Sequence, residues 1–64
     1  MKNVTTIKEV NTSAFVISLV EANSKYYVVY GRASDAKVTR SEPISDYRIA
    51  DYYFELKMKD MLVH

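Results

Sequence analysis

Three features of the sequence predict an α+β domain, a four-stranded antiparallel meander followed by one C-terminal helix (ββββα). Residues 44–63, ISDYRIADYYFELKMKDMLV, are the only stretch with sustained helical periodicity. The 43 residues before them are rich in β-branched and aromatic side chains. Clusters of turn-forming residues cut those 43 residues into four pieces of strand length. One domain therefore spans residues 1–64.

Residues 3–10, NVTTIKEV, mix β-branched side chains with charge, which suits a partly exposed edge strand. Asn11, Thr12 and Ser13 supply turn chemistry. Residues 14–20, AFVISLV, are almost continuously apolar, as in a strand with both faces at least partly covered. After a break at residues 22–24 the third strand follows, KYYVVYG over 25–31. A two-residue loop at Asn23-Ser24 sets Leu19 opposite Val28 and Ile17 opposite Tyr30. Phe15, Ile17, Leu19, Tyr26, Val28 and Tyr30 then share one face, and Val16, Val20, Tyr27 and Val29 the other. A one-residue change in that loop swaps the pairing. Residues 33–35 form a third turn, and 36–41, AKVTRS, a short polar edge strand.

The helix has its own start signals. Ser45 suits an N-cap, Asp46 favours the positive end of the helix dipole, and Pro43 restricts the entering chain. With Ser45 as cap, Ile44 and Ile49 occupy the positions of a hydrophobic staple. The apolar residues fall on two lines. Tyr47, Ala50, Phe54, Met58 and Met61 follow one face, and Ile49, Tyr52, Tyr53 and Leu56 a second. Arg48, Asp51, Glu55 and Lys59 fill the polar wedge, with Glu55 and Lys59 in the favourable i, i+4 order. One sheet needs only one apolar line. The second either packs against a sheet that curls around the helix or docks another chain.

Composition excludes several classes. There is no cysteine, and the one histidine is His64, so disulfides and Cys/His zinc sites are excluded. The net charge of +1 does not mark a nucleic-acid or membrane binder by itself. No run approaches the roughly 20 apolar residues of a membrane span, and residues 4–10 are too interrupted for a secretion signal. A soluble cytoplasmic protein without cofactor or metal is expected. The carboxylates are scattered, and Asp51 and Glu55 sit beside Arg48 and Lys59 as an ion-pair face. The single glycine, Gly31, excludes a glycine-rich phosphate loop. No enzyme activity is expected.

Two kinds of binding remain. Six tyrosines in 64 residues favour protein contact, because tyrosine joins a large apolar area to a polar tip. Strands two and three are apolar on both faces, more surface than one helix covers, and such patches mark interfaces. The expected contact residues are Ile49, Tyr52, Tyr53 and Leu56, in a homo-oligomer or a small regulator or inhibitor of a larger complex. The alternative is a nucleic-acid face. Lys25, Tyr26, Tyr27, Tyr30, Arg32, Lys37 and Arg40 combine stacking surfaces with positive charge.

Residues 26–54 also carry Tyr30-Gly31-Arg32 and, on the helix, Ala50 with Phe54. In this they resemble the WGR domains found beside poly(ADP-ribose) polymerase and DNA-associated modules. Those have a strand ending in Trp-Gly-Arg, then glycines, a further strand and a helix with an Ala-x-x-x-Phe pair. The resemblance implies a strand–turn–strand–helix order over these residues. Tyr30 stands where that family has tryptophan, and Ser34 and Lys37 stand near its glycines. DNA-end contact and interdomain signalling are therefore not carried over.

Overall fold

A computed structural model describes residues 3–35 and 37–63. Four antiparallel strands, β1 (Val4–Asn11), β2 (Phe15–Ala22), β3 (Lys25–Arg32) and β4 (Thr39–Arg40), form one sheet in the order β1-β2-β3-β4. The helix α1 (Tyr47–Val63) follows, so the architecture is the expected ββββα.

The β2–β3 turn sets the geometry of everything else. Asn23 and Ser24 have φ of 55° and 64°, the two positive values of a type I′ turn. Its twist matches that of the strands it joins, and the register follows as the loop length requires, with Leu19 opposite Val28 and Ile17 opposite Tyr30. Helix α1 covers the face that carries Phe15, Ile17, Leu19 and Val28. These four, with Ala50, Phe54 and Met61, are the buried core. That face holds the bulkier apolar side chains, whereas the opposite face is interrupted by Ser18 and Gly31. Each fully buried side chain, such as Phe54 or Leu19, contributes about 1.5–3 kcal/mol.

Strand β1 contains an irregularity that the residue pattern does not reveal. Between Thr6 and Lys8 the register shifts, and Ile7 is the extra residue. Lys8 therefore lies opposite Leu19, on the helix side, instead of pointing outward as an edge charge. Its ammonium binds the Asp51 carboxylate, lies 3.7 Å from Glu55 and sits 5.7 Å from the centre of the Phe54 ring. The carboxylates expected to form a solvated face of the helix thus tie the helix to β1. Hydrogen bonding to Asp51, reinforced by the nearby negative charges, raises the Lys8 pKa above its ordinary value, against the opposing effect of burial.

Strand β4 is shorter than the 36–41 expected; Ala36 lies outside the described residues. The rest of its pairing is replaced. The Ser41 hydroxyl accepts from the Val28 amide at 2.9 Å, while the Ser41 amide donates to the Val28 carbonyl at 2.8 Å. Pro43 has no N–H to offer. The ladder resumes beyond it, where Ile44 and Tyr26 exchange two backbone bonds of 2.8 and 2.9 Å.

That bridge also moves the helix start. With Ile44 held in the sheet, the first helical bond runs from the Ala50 amide to the Asp46 carbonyl at 3.0 Å. The Asp46 carboxylate caps the Arg48 amide at 2.8 Å. Asp46, not Ser45, is the N-cap, and Ser45 instead accepts a bond from the Lys25 ammonium at 2.9 Å. The expected Ile44–Ile49 staple does not form, because Ile44 packs on the core while Ile49 points into solvent.

Candidate interaction surfaces

The outer side of α1 is the first exposed apolar surface. At about 100° per residue, Ile49, Tyr52 and Leu56 fall within a sector of about 60°, roughly 150° from the direction of Ala50, Phe54 and Met61. The sheet does not curl around to meet them. Ile49 is 59%, Tyr52 66% and Leu56 47% exposed. Val63, 78% exposed, continues the same line two turns later. Tyr53 lies apart from these three. It flanks the buried sector, packs against the core and lines a shallow hollow with Ser41, Glu42 and Ile44.

The second surface is the sheet face that α1 leaves open. Strand pairing puts Val16, Val20, Tyr27 and Val29 on it, with Val4 at one corner. Val4, Val20, Ala22, Tyr27, Val29 and Arg40 line a shallow hollow there, of about 220 Å³. The Arg40 guanidinium lies over the Tyr27 ring, 5.0 Å from its centre.

The seven residues of the nucleic-acid reading do not meet on one surface. Lys25, Tyr27 and Arg40 belong to the open face. Tyr26 and Tyr30 lie on the helix side. There Tyr26 meets the edge of the Tyr47 ring at 5.5 Å, and the Lys57 ammonium stands 4.6 Å from the centre of the Tyr30 ring. Arg32 and Lys37 line a polar hollow at the far end of the sheet with Asp35, Lys57 and Asp60. Two tyrosines available for base stacking in the sequence are thus already occupied by the helix.

Of the charged members of the open face, sequence reasoning places Lys25 and Arg40 in the nucleic-acid reading and misses Glu9. The alternation in β2 and β3 reveals its apolar residues once the turn is read. Glu9 joins them only because the Ile7 bulge reverses the parity of β1. Among the described residues no group of three His, Cys, Asp or Glu side chains is placed to hold a metal ion. Among the described residues no helix is long and apolar enough to cross a membrane.

Comparison with known proteins adds no relative: no protein-family model matches the chain, and no curated protein or solved structure matches it significantly. The likeness of residues 26–54 to WGR domains is therefore carried no further. In this fold Gly31 and Arg32 end β3, while Ala50 and Phe54 are core residues.

Proposed function

We propose that this is a non-enzymatic cytoplasmic protein that acts through protein–protein contact, as a homo-oligomer or as a small regulator or inhibitor of a larger complex. The observation that carries this reading is the exposed line of Ile49, Tyr52 and Leu56 on the side of α1 turned away from the sheet. An aromatic residue flanked by two aliphatic ones, one and two turns along a rigid helix, is how a helix presents anchors to a partner. A helix that merely covered a sheet would carry polar residues there. The dispersal of the Tyr, Lys and Arg side chains over several surfaces supports placing nucleic-acid binding second.

The test is the double variant Tyr52→Ala/Leu56→Ala. Both side chains are exposed, so thermal stability is expected within about 0.5 kcal/mol of the parent for each change. Proteins captured from the native host by the parent protein are expected to be lost with the variant. Identical capture by the two proteins would refute the assignment of this surface. Captured nucleic acid released by high salt would move the second reading to first.

A further inference from the structure

We infer that the open sheet face receives a second copy of this chain, aligned by reciprocal contacts between Glu9 and Arg40. The inference rests on the contact reading above, but it concerns the opposite side of the molecule. Glu9 pairs with Ser18, Ser18 with Val29, and Val29 with Arg40, so these four residues form one straight row across the sheet. The row begins with a carboxylate on one edge and ends with a guanidinium on the other. Both residues are exposed, and neither forms an ion pair within the described residues.

That arrangement is self-complementary. Adjacent strands lie about 4.8 Å apart, so Glu9 and Arg40 stand about 14 Å apart with the midpoint between β2 and β3. A two-fold axis through that midpoint, parallel to the strands, lays Glu9 of each copy over Arg40 of the other. Packed sheets are about 10 Å apart, a gap that an extended Arg and Glu span between them once Arg40 swings off the Tyr27 ring. The next row along brings Val20 of one copy onto Tyr27 of the other, twice. A two-fold axis across the strands through the same row would instead set Glu9 against Glu9 and Arg40 against Arg40. The charges select the first arrangement.

The area suits a weak dimer. Three eight-residue strands about 26 Å long span about 14 Å and β4 adds two residues, which gives roughly 400 Å² per copy and about 800 Å² in total, in the range of weak, transient interfaces. The product is a four-layer α/β/β/α dimer. It leaves both lines of Ile49, Tyr52 and Leu56 on its outer sides.

Sedimentation equilibrium of the parent, Glu9→Lys, Arg40→Glu and the double reversal tests the inference. The parent is expected to dimerise, each single reversal to weaken the dimer roughly tenfold or more, and the double reversal to restore it. Val20→Asp, at the centre of the face, is expected to give monomer, and Tyr52→Ala/Leu56→Ala to leave the dimer intact. A parent protein monomeric up to about 100 µM would overturn the inference. So would a dimer equally stable in all four charge variants, as edge-to-edge pairing of β1 would give. A dimer lost only in the helix variant would overturn it while leaving the contact reading standing. The expected charge pattern together with unchanged partner capture by the helix variant would do the reverse.

Discussion

Replacing Ser24 with glycine should stabilise the protein, although it removes a side chain. Ser24 is held at φ 64°, in the left-handed region, where a Cβ costs roughly 1–2 kcal/mol. Its neighbour Asn23, at φ 55°, tolerates the same region because its short amide bonds locally. Glycine removes the strain but enlarges the unfolded ensemble, returning about 0.4–1 kcal/mol. The net expectation for Ser24→Gly is a gain of about 0.5–1 kcal/mol. For a domain of this size that raises Tm by about 2–8 °C in a thermal melt followed by circular dichroism. Ser24→Val, branched at Cβ, should move Tm the other way. The consequence reaches beyond stability, because this turn determines which residues of β2 and β3 face the helix and which form the open face. A Tm that is unchanged or lower in Ser24→Gly would refute the type I′ geometry, and with it the division of the sheet into its two faces.

Other expectations follow from the core and its closures. Phe54→Ala, at a fully buried site, should cost about 3–5 kcal/mol and leave the domain largely unfolded by circular dichroism at ambient temperature. Gly31→Ala would set a Cβ 2.9 Å from the Lys37 carbonyl oxygen, a backbone atom, and should cost about 1–3 kcal/mol in denaturant titration. The raised Lys8 pKa means that its contribution to stability is fully present below the unfolded-state value and is lost as pH rises through the folded one. The Tm difference between the parent and Lys8→Met should therefore hold at neutral pH and shrink above pH 10.5.

The sequence made the backbone plan readable because its local signals agree. The Asn23-Ser24 loop, the apolar parity of β2 and β3, and the helical spacing of Ala50, Phe54 and Met61 all lead to the same sheet and helix. The departures occur where one long-range contact overrides a local preference. Ser45 has good capping chemistry, but the Ile44–Tyr26 bridge carries the chain past it before the helix begins. Lys8 reads as an edge charge, yet the Ile7 bulge turns it onto Asp51. The same bulge hides Glu9 from any face assignment made by counting alternate residues. For the candidate surfaces, the exposed helix line was visible in its spacing, apart from Tyr53. That residue sits one position beyond Tyr52, and about 100° of helical rotation carries it onto the flank of the core.

Site-specific photo-crosslinking from the helix tests the central claim most directly. A benzophenone amino acid at Leu56, on the apolar line, is compared with one at Arg48, which is also exposed but on the polar side. The account predicts a discrete protein adduct from position 56 in the native host, absent from position 48. Equal adducts from the two positions, or none from position 56, would contradict it.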